Sequence, residues 1–300
     1  KIVAIPATID GDFRSSLSLG FDTASRVMSQ LVGNIATDCA SARKYYYFVR
    51  TMGRETSNLA LEVALNTCPN AVLIGEEVQD SNMSLSDIVN NLADLVCARF
   101  EKGKNYGVIL IPEGILTFVS EISGLLHDIQ NNTLKPWQLE LMKSLPDYIV
   151  EEFKLERESH GSLQLSQIES EKLFQHLVAQ ELKRRKERGE YRGTFKSITH
   201  YLGYQVRCSL PTPFDVAYGE MLGRAACRLA FENTQKSAYV VSIRNLRKHP
   251  REWRPHAVPV HVLMNEIDAK SREARIPSAM VDLSSRPFRV LREMLREKWS

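Results

Sequence analysis

The sequence predicts an α/β protein with two Rossmann-like lobes and a helical insertion, and three observations predict it. Short apolar runs alternate with amphipathic stretches along most of the chain. The runs are almost continuously apolar or aromatic, as strands buried on both faces require. Each early run also ends in a compact polar motif. Alternation of this kind builds doubly wound sheets, whose ligands bind beyond the carboxyl ends of the strands.

The elements follow in order. Residues 2–5 read as the first strand. Asp22 and Thr23 are placed to cap a helix carrying Val27, Met28, Leu31, Val32 and Ile35 on one face. Residues 45–49 read as a strand, 59–65 as a helix and 71–74 as a strand. Ser84 opens a helix that carries Ile88, Leu92, Leu95, Val96 and Phe100, and 108–111 is again a strand. From about 122 to 189 strand signals give way to Leu, Glu, Lys and Gln, which predicts the helical insertion. Its last helix is expected over 163–188, with Gly189 placed to stop it. The basic end, Lys183-Arg184-Arg185-Lys186-Glu187-Arg188, reads as a solvated terminus complementing the macrodipole rather than an anion site. Strands return at 195–202 and 238–242, and helices at 217–231, 260–267 and 286–297.

Composition narrows the function classes. The chain has 300 residues, 43% of them hydrophobic, enough for a sizeable core. Lys plus Arg number 39 against 36 Asp plus Glu, a formal charge of +3. That balance gives no reason to expect nucleic acid or a membrane surface as partner. Five cysteines, none in C-x-x-C spacing, argue against a disulfide framework or a zinc site and for a reducing, cytoplasmic setting. No apolar run reaches membrane-spanning length. The chain opens at Lys1 directly on a strand and reads as the C-terminal portion of a longer polypeptide.

The chemistry gathers at the strand ends. Residues 2–5 run into Pro6-Ala7-Thr8-Ile9-Asp10-Gly11-Asp12, and 45–49 into Arg50-Thr51-Met52-Gly53-Arg54. The next two strands end in Gly75-Glu76-Glu77 and Pro112-Glu113-Gly114. A carboxylate on a tight loop, Asp10 or Asp12, suits proton removal from a hydroxyl or a place beside a metal–phosphate complex. Arg54 suits bidentate phosphate binding, and Glu113 can accept from sugar hydroxyls. Each motif alone is ordinary turn chemistry. Four together point to a phosphate- or sugar-binding enzyme, and composition and spacing stop there.

At these motifs the sequence resembles the phosphofructokinases, and within them the long, pyrophosphate-dependent branch. The resemblance rests on the 6–12 loop, Gly20-Phe21-Asp22-Thr23-Ala24, the segment from Lys44 to Arg54, Gly75-Glu76-Glu77 and Ile111-Pro112-Glu113-Gly114. It continues through Gly203-Tyr204-Gln205-Val206-Arg207, Ser209-Leu210-Pro211-Thr212-Pro213-Phe214-Asp215 and Trp253-Arg254, and covers about residues 1–265. It implies phosphoryl transfer from pyrophosphate, with Mg²⁺, to the 1-hydroxyl of fructose 6-phosphate, in cytosolic glycolysis. Asp10 is then the base, with Thr8 and Asp12 on the same loop. Met52, Gly53 and Arg54 contact the sugar phosphate, Glu113 the sugar hydroxyls. Tyr204 and Arg207 hold the phosphate from the last strand of the site, and Ile9, Gln205 and Val206 complete the substrate-binding set. Lys44 and Tyr45 are implied to reach a neighbouring subunit, so the active unit is at least a dimer. The resemblance places the site in the cleft between the lobes.

Two departures stand out. The family's Gly-Gly-Asp donor loop belongs upstream of Lys1, so no metal ligand is named. Ala7 stands where most pyrophosphate-dependent members have Lys. The alternatives are an ATP-dependent enzyme of the same class and a non-catalytic regulatory subunit. The expected partition is 1–19 for the first lobe, 20–202 for the sugar-phosphate lobe with its insertion at about 122–189, and 203–300 for the return to the first lobe. Of the remaining residues, His127 beside Asp128 is expected at the surface, and Cys208 as an inert neighbour of the site. His200 faces either cleft or core. Tyr45-Tyr46-Tyr47 reads as a buried strand with one interface-facing ring.

Overall fold

The computed structural model describes residues 2–13, 17–153, 168–232, 237–264, 266–267 and 274–299. Its elements run β1 (Ile2–Ala4), α1 (Phe21–Ala42), β2 (Tyr46–Thr51), α2 (Asn58–Thr67), β3 (Ala71–Val72), α3 (Gly75–Asp80), α4 (Leu85–Glu101) and β4 (Gly107–Pro112). Then come α5 (Ile115–Phe118), α6 (Ser120–Asn131), α7 (Pro136–Ser144), α8 (Asp147–Phe153), α9 (Ser170–Glu187) and β5 (Ser197–Leu202). The chain continues through α10 (Tyr204–Arg207), α11 (Pro213–Glu232), β6 (Ala238–Arg244), β7 (Arg254–Pro259), α12 (Val260–Leu263), β8 (Glu266–Ile267), β9 (Ala274–Arg275) and α13 (Arg286–Trp299).

Contacts divide the chain into two compact units. The first comprises Lys1–Val27 and Tyr204–Met280, the second Met28–Gly203 and Val281–Ser300. The expected partition kept 203–300 together. In the structure residues 281–300 cluster with the second unit, because α13 packs on α2 and α4. Its Phe288, Leu291 and Leu295 recur at helical spacing and are buried.

In the second unit β3, β4, β2 and β5 form a parallel sheet in that order. β2 and β4 are buried along their whole length, which is why residues 45–49 and 108–111 read as apolar or aromatic runs, although β2 ends in buried Arg50 and Thr51. Ser84 caps α4: its Oγ accepts the Asp87 N–H at 3.1 Å, and the Asp87 carboxylate accepts the Ser84 N–H at 2.9 Å. The insertion is helical where described, as α6 to α9; the start of the helix expected over 163–188 lies outside the described residues. Gly189 ends α9 at φ +79°, a conformation that favours glycine. The basic end of α9 is internally paired. Arg185, with its side chain mostly buried, bonds Glu181 at 2.9 Å and Asp94 of α4 at 2.5 Å, so it clamps two helices together.

In the first unit β1 pairs parallel with β6, and β6 antiparallel with β7. The core beneath is Tyr218 and Leu222 of α11 with Val241, Ile243 and Trp253. The structure differs from the expectations at three points here. The helix expected over 260–267 is only the single turn α12; residues 266–267 pair as a strand with 274–275. β7 carries no apolar run, since Arg254, Pro255 and His256 alternate on an edge strand that needs little burial. Asp22 and Thr23 do not cap α1 either; they lie inside its first turn, and the cap comes from Asp215, as described below.

Candidate functional site

In the first unit the loop after β1 is pinned at both ends. Pro6 O accepts the Leu19 N–H at 3.0 Å, and Asp12 O accepts the Ala279 N–H at 2.6 Å. Gly11 sits at φ +68°, and a Cβ there would lie 2.6 Å from the Phe21 ring, so the turn needs glycine twice over. Between the pins Thr8, Ile9, Asp10 and Asp12 are half-buried. The Thr8 hydroxyl accepts the Asp10 N–H at 3.2 Å, which orders the backbone under that carboxylate.

Tyr204 and Arg207 were expected on a strand. They lie on the helical turn α10, which puts residues three apart on one side. The Arg207 guanidinium rests over the Tyr204 ring, 5.2 Å from its centroid. Both side chains are exposed, Tyr204 to 58%, as is Gln205, while Val206 is buried and anchors the turn. Ile9, Val206 and Arg207 line one pocket of about 380 Å³, with Gly20, Thr23 and Asp215 in its wall. Asp215 organises that wall: its carboxylate accepts N–H groups from Gly20 at 3.1 Å and Thr23 at 2.8 Å, and the Thr23 hydroxyl. Thr212 Oγ1 in turn accepts the Asp215 N–H at 3.3 Å and donates to Asp22 at 2.6 Å, so the starts of α1 and α11 cap each other.

In the second unit Met52-Gly53-Arg54 leaves the end of β2 with Gly53 at φ +117°. The turn lies against the end of β4: Glu113 N–H donates to Thr51 O at 3.0 Å and Gly114 N–H to Gly53 O at 3.1 Å. A Cβ on Gly114 would overlap the Arg54 carbonyl oxygen, so the close approach requires glycine. Glu113 is 1% exposed and accepts the Tyr201 hydroxyl at 3.0 Å. Tyr201 stands on β5, opposite Arg50 of β2, and carries the Arg50 guanidinium 3.9 Å above its ring. Arg50 pairs with buried Glu171 at 2.8 Å and donates to Ile168 O. Burial pushes the Glu171 carboxyl up despite Arg50, the ordinary penalty for an ion out of water.

The other side of the Arg54 turn is held by Glu76. Its Oε1 accepts the Ser57 N–H at 3.1 Å and the Val281 N–H at 2.9 Å, and Ser57 Oγ accepts the Gly75 N–H at 2.8 Å. The Gly75-Glu76-Glu77 motif therefore acts on the backbone beside Arg54. Lys44 and Tyr45 precede β2 and lie at its opposite end from Arg54, about 20 Å of strand away. Lys44 is exposed, and Tyr45 packs edge-on against Tyr47.

The structure thus gathers Ile9, Val206 and Arg207 in the first unit, and Met52, Gly53, Arg54 and Glu113 in the second. Tyr201, Arg50 and Glu76 were not assigned roles from the sequence; the available signal was a hydroxyl and two charges on or beside strands too buried to leave them unpaired. His127 is exposed and bonds Asp128 at 3.2 Å, Cys208 is exposed, and the exposed His200 stacks on Tyr47 with centroids 5.8 Å apart. Among the described residues no three His, Cys, Asp or Glu side chains gather to hold a metal, and no helix is long and apolar enough to cross a membrane.

The chain is similar to several proteins of known name. A protein of Porphyromonas gingivalis named pyrophosphate–fructose 6-phosphate 1-phosphotransferase is 38% identical over 99% of this chain and 58% of its own length. One of Treponema pallidum with the same name is 37% identical over 100% and 56%, and a subunit beta of that name from Solanum tuberosum is 39% identical over 100% and 55%. The chain therefore spans a little over half the length of these curated relatives. The fold is similar to that of solved pyrophosphate-dependent phosphofructokinases from Nitrosospira multiformis and Marinobacter aquaeolei. The TM-scores are 0.56 and 0.58 at 13% and 12% identity, over 99% of this chain and 60% of each of those. The model of the phosphofructokinase family matches residues 1–230, and the chain belongs to that family.

Proposed function

We propose that the protein of which this chain forms part transfers a phosphoryl group from pyrophosphate to the 1-hydroxyl of fructose 6-phosphate, giving fructose 1,6-bisphosphate. The observation that carries the reading is the Met52-Gly53-Arg54 turn, seated on Pro112-Glu113-Gly114 by backbone bonds that only glycine at 114 allows. It packs the backbone that carries Arg54 against the backbone of buried Glu113, and an arginine with a carboxylate is the combination that a phosphorylated polyol needs. Relatives that carry the pyrophosphate name along this whole chain support the donor.

In this reading Asp10 takes the proton from the 1-hydroxyl as the phosphoryl group departs in line from its donor. Thr8 orders the Asp10 backbone, and Asp12 closes the loop through its carbonyl. Arg54 and Arg207 each neutralise the sugar phosphate, Tyr204 flanks Arg207, and Glu113 accepts from the sugar hydroxyls. Lys44 and Tyr45 serve a neighbouring subunit, so the working unit is at least a dimer. Mg²⁺ accompanies the donor in this reading. The described residues lack the ligand set for a cage of their own, so no step is assigned to it. The setting is cytosolic glycolysis, and the reaction is reversible.

The test is a coupled assay on the full-length protein with pyrophosphate and with ATP. Turnover with pyrophosphate is expected; turnover with ATP alone would sink the donor assignment. Asp10→Asn should lower kcat by about three orders of magnitude with little change in fructose 6-phosphate KM. Unchanged turnover would favour a non-catalytic, sugar-phosphate-binding subunit.

A further inference from the structure

We infer that the cavity between α13 and the β3 edge of the four-stranded sheet binds a small organic anion: a carboxylate, sulfonate or phosphate monoester on an apolar body. The hollow has a volume of about 360 Å³ and is walled by Val72, Ile74, Ile88, Leu92 and Leu295. Its polar lining is Glu77, Asn91, Arg292 and Arg296. The two arginines are one helical turn apart on α13 and so share a face. None of the residues assigned above to the sugar-phosphate chemistry lines this cavity.

Charge and hydrogen bonding there are out of balance. Arg292 pairs with Glu77, yet its Nε is buried with no hydrogen-bond partner among the described residues. Burial, and then the like charge of Arg296, push the Arg292 guanidinium down to about 10. Two cations against one carboxylate leave a net positive charge at the side of an apolar hollow. A buried donor without an acceptor is costly, whereas Arg296 is exposed and keeps its charge solvated beside it. One oxyanion head accepts from the spare Nε and offsets the second arginine, and the apolar walls take the rest of the molecule.

The inference is independent of the proposed catalytic role, because its test reads binding alone. The probe is 8-anilinonaphthalene-1-sulfonate, titrated by fluorescence against the full chain, with uncharged N-phenyl-1-naphthylamine as the neutral counterpart. A saturable component of one probe per chain is expected. Arg296→Met leaves the Arg292–Glu77 pair in place and should weaken the sulfonate by about tenfold without weakening the neutral amine. Asn91, exposed on α4 at the cavity wall, gives a variant remote from the ion pair: Asn91→Trp should remove the saturable component for both probes while thermal unfolding stays unchanged. No saturable sulfonate binding, or an affinity that neither substitution alters, overturns the inference.

Discussion

One carboxylate oxygen of Asp215 accepts both the backbone N–H and the hydroxyl of Thr23, while its other oxygen accepts the Gly20 N–H. The first turn of α1 is therefore capped from α11, nearly two hundred positions away in sequence, beside the pocket that Ile9 and Arg207 share. The hydroxyl of Thr23 also accepts the Thr212 N–H at 3.1 Å, which makes the side chain an acceptor for one helix start and a donor to the cap of the other.

Asp215→Ala should cost about 3 kcal/mol of stability, because a buried N–H, a part-buried N–H and a buried hydroxyl lose a charged acceptor together. Thr23→Ala should cost about 1–2 kcal/mol, since the backbone bond to Asp215 survives. Urea unfolding of the full-length protein measures both. A loss below about 0.5 kcal/mol for Asp215→Ala would show that the mutual cap contributes nothing, as for an ordinary surface position.

Gly114→Ala and Gly124→Ala form an internally controlled pair. A methyl at 114 meets the Arg54 carbonyl, so the turn that holds Arg54 has to move; under the proposed function the KM for fructose 6-phosphate should rise at least about tenfold. A methyl at 124 meets nothing, and the residue lies within α6, so this variant should gain about 0.5–1 kcal/mol with unaltered kinetics. Equal KM values for the two variants would refute the seating of the Arg54 turn on Gly114.

Glu76→Gln tests whether one buried carboxylate ties the Arg54 side of the site to the segment that leads into α13. The Ser57 and Val281 amides both donate to Glu76, and an amide oxygen is a weaker acceptor than a carboxylate. Hydrogen exchange should accelerate at both amides, with α4 unaffected. Acceleration at neither would mean that the two bonds do not limit opening there.

His256 supplies the pH dependence. Burial, and then the neighbouring Arg244, hold its imidazole below the ordinary value of 6.5, so the folded form prefers it neutral. A depressed pKa means that the unfolded chain binds more protons as pH falls. This part of the stability is therefore present above 6.5 and is lost as pH drops through the lower folded value. Arg224, Arg228 and Glu232 line the cavity beside it, and the two arginines pair with Glu220 and Glu232. His256→Gln should flatten the fall in stability below 6.5, measured as unfolding midpoint against pH. An unaltered slope would exclude His256 as its source.

The buried parallel strands and their glycine-bearing turns were legible because local chemistry alone demands them. β2 and β4 need apolar residues on both faces, and Gly53 and Gly189 occupy backbone conformations that side chains resist. The Ser84 cap was legible for the same reason, since its partner Asp87 stands three residues away. The cap of α1 was not, because its acceptor comes from the far end of the chain. Edge strand β7 was hidden for lack of an apolar pattern, and the helix expected over 260–267 gave way to α12 and β8 where pairing with β9 outweighed propensity.

The sequence by itself determined the family likeness and the order of the strand-end motifs, and it nominated Asp10, Arg54, Glu113 and Arg207 as candidates, since each depends only on residue type and neighbours along the chain. Tertiary structure decided what supports them: Tyr201 on Glu113, Glu76 on Ser57, Asp215 on Thr23, and the basic C-terminal helix laid beside β3. Those partners are joined across many residues by hydrogen bonds and burial, which carry no periodic signal in the chain. A buried polar group has to find an acceptor somewhere, and only the fold says where.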